Sequence, residues 1–563
     1  MPFRFIDYIQ WLTERKKDVF SIISFGFILY GAFLRIAHIN HIQIFADEIH
    51  PLQVASEETF LWIATHFASN DACIPYTLYS KLLLNTVGLS ELSFRLPAIF
   101  SGIALLPVIF WYAEKKMGRL VAMTSVIFMA VSPYFVYLSR EARPYSIIML
   151  LVTWAGFVLF DTRKRLPLLP LCFASGMLAI AVYCHPVVIP STLVLWTVPL
   201  WKGLNGDYEN RNWLKWYLIA SLSGLFIGLV TFGSALPSFL EGMNYKGNFG
   251  QADWLTARNG LLLIHGLPIF IPVLGWCLFC SLGLLFCKRN CGADSFFVLL
   301  MLIVQLGAIY ITQPQLDQIS WVWLRYWIHL FPLLLVFTIN GVVSLIIFRS
   351  KKITEKHELA VGIVIMVLVI AFTVNHMKNS NYGVKKEENY PIHPMVIMMN
   401  RMKSRDGWPL MDTYKFINEN TEKNATLIES PRIYTFPLYG RYSLRHKRTV
   451  LTAGVGMGFA QKVIERNPGF KFKTCWSDVR KNIIKNPIYW IHHYNIKKEL
   501  EDWSELIERD PYAQSQMASF EFSMKQPLTD TLFGIDAFLE QFSPMGGRLI
   551  YTDKYVKIFK INS

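Results

Sequence analysis

Two short segments hold residue types and spacings that could carry chemistry. The first is FADEIHP at 45–51, which sets Asp47 and Glu48 side by side just after a long apolar run. An adjacent carboxylate pair at a membrane border can supply a general base, and the plainer alternative is that it solvates a helix end. The second is SREARPYS at 139–146, which squeezes Arg140, Glu141 and Arg143 into a turn between two apolar runs. Charge at that depth is costly unless it is paired or used. Two guanidiniums on so short a turn can clamp a phosphate, and the carboxylate between them can face an acceptor or a metal ion. An Arg–Glu pair that only stabilises the turn or neutralises lipid phosphates is the competing reading.

Other residues could complete a pocket. Arg325 and Tyr326 stand in QISWVWLRYWIHLFP at 318–332, Tyr145 closes the charged turn, and His185 precedes Pro186 at another turn. An aromatic-flanked arginine also serves as an interfacial anchor, and a lone histidine is often structural. Lys81 could reach a phosphate or snorkel from a surface helix.

The elements that must position these groups are membrane spans. With 53% hydrophobic residues, 15% aromatic and only 17% charged over 563 residues, the chain is too apolar for a soluble domain of its length. Runs able to cross about 30 Å of hydrocarbon occur at 20–38, 96–113, 120–138, 146–160, 168–184, 186–201, 216–236, 261–286, 295–312, 328–348 and 359–376, which makes eleven expected spans. The first is read as an anchor that stays, because it lacks a small-residue cleavage site.

The net charge of +15 does not imply nucleic acid, because Lys and Arg sit in short clusters between apolar runs rather than in a basic stripe with interleaved aromatics. Alternate loops separate by charge. One set, in the ranges 4–17, 115–119, 163–165, 202–215, 288–289 and 349–356, holds nineteen Lys and Arg, against seven in the other set of short loops. That asymmetry places the N-terminus in the cytoplasm, and an odd number of spans then puts everything after His376 outside. The eight cysteines show no spaced disulfide framework, and Cys287 with Cys291 lacks the second ligand pair that a metal site needs.

The candidate chemistry therefore falls on the outer face. The first outer loop contains two amphipathic stretches, Leu52–Phe67 and Tyr76–Leu89, expected to lie along the membrane surface. After residue 376 the long apolar runs give way to β-like segments starting at 425, 449, 487, 547 and 555, with a helix-like segment from Lys498. A transmembrane core over 1–376 and a small α/β domain over 377–563 are expected. One N-glycosylation pattern, Asn424 to Thr426, is common by chance.

The order of these features, DE after the first span, GLSELSFRLPAIFSG at 88–102, YLSREARPYS at 137–146 and LRYW at 324–327, resembles the GT-C glycosyltransferases that include protein O-mannosyltransferases and lipid A aminoarabinose transferases. The resemblance covers most of the first 160 residues, follows hydropathy and Arg325-Tyr326 thereafter, and hardly touches the C-terminal domain. It implies a mainly α, polytopic GT-C core with surface helices in the first outer loop, and an enzyme that takes a sugar from a polyprenyl-phosphate carrier on the extracytoplasmic face. Asp47 matches the acidic residue that activates the acceptor, with Glu48 completing its motif, and Glu141 matches a second acidic position. Arg140, Arg143, Arg325 and Lys81 are the expected donor-phosphate contacts, with Tyr145, His185 and Tyr326 lining the pocket. A divalent cation shared by Asp47 and Glu141 is an open expectation, as are the acceptor and a bacterial plasma-membrane location. A polytopic transporter or flippase for a lipid-linked substrate is the alternative. Against it, the candidate charges lie near span mouths rather than at mid-bilayer.

Overall fold

A computed structural model describes residues 19–37, 58–67, 73–87, 91–161, 167–209, 212–246, 292–313, 320–348, 416–417, 419–422, 426–430, 449–452, 488–493, 548–554 and 556–561, and the single positions 39, 48, 51, 54, 55 and 257. The chain forms two compact units, residues 1–42 with 50–382 and residues 43–49 with 383–563.

The first unit is helical. Its helices are α1 (Val19–Ile36), α2 (Phe60–Thr65), α3 (Ile74–Asn85), α4 (Glu91–Met117), α5 (Arg119–Val131), α6 (Pro133–Ser139), α7 (Tyr145–Phe160), α8 (Leu168–Cys184), α9 (Ile189–Leu204), α10 (Trp213–Thr231), α11 (Leu236–Lys246), α12 (Gly292–Thr312), α13 (Ser320–Arg325) and α14 (Phe331–Phe348). Nine of the eleven expected spans coincide with these helices; the runs at 261–286 and 359–376 lie outside the described residues. Five described helices are long and apolar enough to cross a membrane, and shorter apolar ones run among them. The chain is a multi-pass membrane protein.

Burial follows a membrane logic rather than an aqueous one. On α10 only Ala220 is buried, while Leu214, Leu218, Leu222, Leu225, Phe226 and Leu229 face outward. A stripe of that size would be a liability in water and is the normal lipid-facing surface of a span. By contrast α5 and α7 are buried along nearly their whole length, α5 against α1 and α4, α7 against α4 and α8. Helix α2 and the buried face of α3 occupy the stretches expected to be surface helices.

Prolines set the boundaries near the charged turn. The expected span 120–138 is divided into α5 and α6 at Ser132, which is extended (φ −60°, ψ 122°) because Pro133 follows it. Hydropathy averaging hides this break, after which α6 leads directly into Arg140. Likewise α8 stops at Cys184, with His185 extended before Pro186.

Contacts between the helices collect the charged groups at two ends. Residues 34–37, 140–145, 185–188 and 325–330 share one end. At the other, Lys115 and Lys116 bond Asp161, and Lys202 bonds both Asp294 at 3.1 Å and Phe160 O at 2.9 Å.

The second unit holds a five-stranded sheet: β1 (Thr426–Ser430), β2 (Thr449–Thr452), β3 (Ile488–His493), β4 (Arg548–Thr552) and β5 (Val556–Ile561), in the order β2-β1-β3-β5-β4. β1 pairs in parallel with β2 and β3, while β3–β5 and β4–β5 are antiparallel. All five expected β-segments are strands of this sheet. The helix-like segment from Lys498 lies outside the described residues.

Candidate active site

The turn between α6 and α7 is built locally. The Arg140 amide donates to Tyr137 O, the Arg143 amide donates to Glu141 O at 2.7 Å, and Ser146 Oγ closes the turn by donating to Leu138 O at 2.8 Å. Arg140, Glu141 and Arg143 are all buried.

Arg140, expected beside a phosphate, uses both terminal nitrogens on the end of α1, donating to Leu34 O at 2.9 Å and Ala37 O at 2.8 Å. A cation at a helix C-terminus is favourable because the last carbonyls lack intrahelical partners. Arg35 returns the contact from α1: its Nη2 donates to Met129 O at 3.0 Å, its Nη1 to Ala130 O at 3.2 Å, and its Nε to Ser139 Oγ at 3.1 Å. The two arginines clasp α1 to the α5–α6 corner. The clasp leaves no room beside Gly102, where an added methyl would stand 2.1 Å from Ser139 Oγ and 3.1 Å from Arg35 Nε.

Glu141 meets Arg325 across the bundle. Arg325 Nη2 donates to Glu141 Oε1 at 2.8 Å, and the two side chains are only 5% and 6% exposed. The same nitrogen lies 3.2 Å from Tyr137 OH, and the guanidinium carbon sits 5.1 Å above the Tyr145 ring. The His185 ring is 6.0 Å from that of Tyr145, centre to centre. His185 Nδ1 accepts the Val187 amide at 3.2 Å, which leaves Nε2 to carry the proton of the neutral ring.

The structure thus gathers Glu141, Arg325, Tyr145 and His185, with Arg143 on the same turn. Tyr326 is half-buried, and its carbonyl accepts from Gln305 Nε2 at 2.9 Å. Lys81 is half-buried on α3 and makes no hydrogen bond or ion pair among the described residues. Glu48 is buried and groups with the second unit; Asp47 lies outside the described residues. Reading the sequence missed Tyr137 and Arg35. Each left a signal: Tyr137 precedes Glu141 by one helical turn, and Arg35 is the one cation of the apolar run Val19–Ile36.

Of the expected metal pair, Asp47 lies outside the described residues and Glu141 is buried. Glu141 already gives one oxygen to a guanidinium, and no three His, Cys, Asp or Glu side chains cluster among the described residues. Divalent ions of the oxygen-binding class want several such donors.

No protein-family model matches the chain, and neither does any curated protein. Solved structures do. ArnT from Cupriavidus metallidurans bound to undecaprenyl phosphate aligns over 96% of this chain and 98% of its own, with a TM-score of 0.52 at 10% identity. The same protein in the apo state aligns over 96% and 97%, with a TM-score of 0.52 at 9% identity. The chain has the GT-C fold. The likeness covers nearly the whole chain and agrees with the expected mainly α GT-C fold with a small C-terminal sheet. An oligosaccharyltransferase from Archaeoglobus fulgidus in the apo form also aligns, over 85% of this chain and 70% of its own, with a TM-score of 0.44 at 12% identity. Within the GT-C core of this chain, the Glu141–Arg325 pair joins α7's leading turn to the turn before α14.

Proposed function

We propose that the chain is a glycosyltransferase that moves a hexose or pentose from a polyprenyl-phosphate carrier to a glycan, lipid or protein acceptor, with inversion. The observation that carries the reading is the buried Arg325–Glu141 pair over Tyr145, on the turn that also bears Arg143 in a GT-C fold. The undecaprenyl phosphate bound to the similarly folded ArnT supports the choice of carrier.

The chemistry suits these residues. Breaking the bond from the anomeric carbon to the phosphate oxygen leaves negative charge on the departing lipid phosphate and makes the sugar ring oxocarbenium-like. Arg143 and Arg325 stabilise the departing phosphate as its charge grows. Glu141 holds Arg325 in orientation, and Arg140 fixes the turn to α1. Asp47, with Glu48 beside it, takes the proton of the acceptor hydroxyl as that oxygen attacks the anomeric carbon from the face opposite the phosphate. The new glycosidic bond forms as the phosphate leaves, which inverts the anomeric centre. His185 and Tyr326 border the sugar, and Lys81 is a further contact for the donor phosphate. We place the site on the extracytoplasmic face of a bacterial plasma membrane, with the N-terminus in the cytoplasm and the C-terminal domain outside.

The test is transfer in liposomes from a panel of radiolabelled polyprenyl-phosphate sugars, with a membrane extract as acceptor. Asp47→Asn should lower the rate by about a hundred- to ten-thousandfold, the usual range for a lost general base. Arg143→Ala should raise the donor KM. If no donor is used while labelled carrier crosses the bilayer, the chain is instead a translocator of lipid-linked sugars.

A further inference from the structure

The groups that flank Tyr145 sit on two turns far apart in the chain, residues 185–191 with His185 and residues 325–330 with Arg325. Both interrupt the α-helical ladder with 3-10 segments, Pro186–Val188 and Ile328–Leu330. Backbone carbonyls in such interruptions need partners from elsewhere when they are buried. Gln305, buried on α12, supplies them: its Nε2 donates to Val187 O at 2.8 Å and to Tyr326 O at 2.9 Å. One carbonyl lies two residues after His185, and the other belongs to the residue after Arg325.

A second bond joins the same two turns. His329 Nε2 lies 2.8 Å from Ser191 Oγ, and both residues are fully buried. The single hydroxyl proton of Ser191 serves Val188 O at 2.9 Å, so its oxygen accepts and His329 Nε2 donates. An apolar residue at 305 would leave the Val187 and Tyr326 carbonyls, which belong to the turns that carry His185 and Arg325, without this donor. What the bridges fix is the separation of the two turns.

We propose that Gln305, seconded by the Ser191–His329 pair, is a positioning residue that sets Arg325 and His185 against the phosphate of the lipid-linked donor. This rests on the transferase reading, in which Arg325 takes that phosphate. A guanidinium displaced by about 1 Å loses the geometry that bidentate phosphate contact needs.

The test uses the full-length chain in liposomes, with Gln305→Leu, Ser191→Ala and His329→Gln each made in the wild-type and Arg325→Lys backgrounds. Gln305→Leu should lower kcat/KM for the donor about tenfold per folded molecule, equivalent to ~1.4 kcal/mol. Ser191→Ala should lower it by a smaller factor. His329→Gln keeps a donating amide where Nε2 stood and should rescue, staying within about twofold of wild type where His329→Leu does not. In the Arg325→Lys background the Gln305→Leu penalty should shrink below about twofold, because the group it positions is already gone. A fall in melting temperature with kcat/KM per folded molecule unmoved, or a full penalty in the Arg325→Lys background, overturns the proposal and leaves Gln305 a packing residue. Should Gln305→Leu fail to fold, the Ser191 and His329 variants decide by the same criteria. Wild-type transfer is the separate check on the transferase reading. If it is absent, weaker thermal stabilisation of Gln305→Leu than of wild type by undecaprenyl phosphate still supports the positioning role, and equal stabilisation overturns it.

Discussion

The two ends of the helix bundle solve the same problem differently. At one end Lys115, Lys116 and Lys202 bond Asp161 and Asp294, cation against carboxylate, with Phe160 O taking a further bond. At the other, Arg35, Arg140, Arg143 and Arg325 gather round the turn that carries Glu141, and two of the four bond chiefly to backbone carbonyls. Lysine–aspartate pairing of the first kind neutralises charge and fastens helix ends. An arginine-rich group held in place by helix ends and an aromatic face keeps its geometry, which is what the proposed site for a departing phosphate requires. One end therefore reads as fastening and the other as function.

The sharpest way to break that contrast is to remove Arg325. Arg325→Ala takes away the guanidinium proposed at the phosphate and leaves Glu141 buried without it. Transfer should fall by about a hundred- to a thousandfold, the scale of a lost oxyanion contact, measured as kcat/KM in liposomes. Retained transfer would make this end a second fastener.

The opposite end should show the reverse pattern. Lys202→Met leaves Asp294 buried without its cation and should destabilise the protein by about 3–5 kcal/mol, read from melting in detergent. Adding Asp294→Leu should recover much of that loss, because replacing a buried ion pair by apolar groups is often close to neutral. Transfer per folded molecule should stay near wild type in the double variant.

Much of this architecture was legible in the sequence, and the reasons are local. Apolar runs marked nine of the described helices, and β-branched, alternating segments marked all five strands, because each signal is complete within a dozen residues. The SREARPYS turn was legible because charge between two apolar runs demands an explanation. Its breaks were legible in principle, at Ser132-Pro133, yet an averaged hydropathy window reads through a single proline. What was not legible is who meets whom. Arg325 reaches Glu141 across 184 positions, and Gln305 reaches Val187 across 118. Periodicity says which face of a helix is apolar, but not which distant turn that face will meet. Arg140 shows the cost: its residue type suggested a phosphate, while its position at the end of α1 gives its terminal nitrogens to carbonyls.

A smaller effect separates positioning from chemistry within the functional end. Gly102→Val would drive a side chain into Ser139 and Arg35, prising apart the clasp that holds α1 to the charged turn. Overpacking of this kind typically costs about 1–3 kcal/mol. The melting temperature should fall, and transfer should fall less than in Arg325→Ala, since no group proposed to touch the donor is removed.

The smallest effect belongs to an ion pair outside the bundle, which calibrates the other two. In the second unit Lys560 Nζ lies 2.8 Å from Glu422 Oε1, with side chains 39% and 43% exposed, and Tyr489 OH also bonds Glu422. Hydrogen bonds from Lys560 and then Tyr489 hold the Glu422 carboxyl down at about 2. The folded-state value is depressed, so the contribution is present above the unfolded value of about 4.3 and disappears as pH falls toward 2. Exposure and salt screening keep it small. Glu422→Gln should therefore speed amide exchange in β3 and β5 of the full chain only slightly at neutral pH, with the difference closing between about pH 4.3 and pH 2 and shrinking in high salt. A difference as large as that of Lys202→Met would mean that burial does not set the scale of these pairs, and the contrast between the two ends would then have to rest on geometry alone.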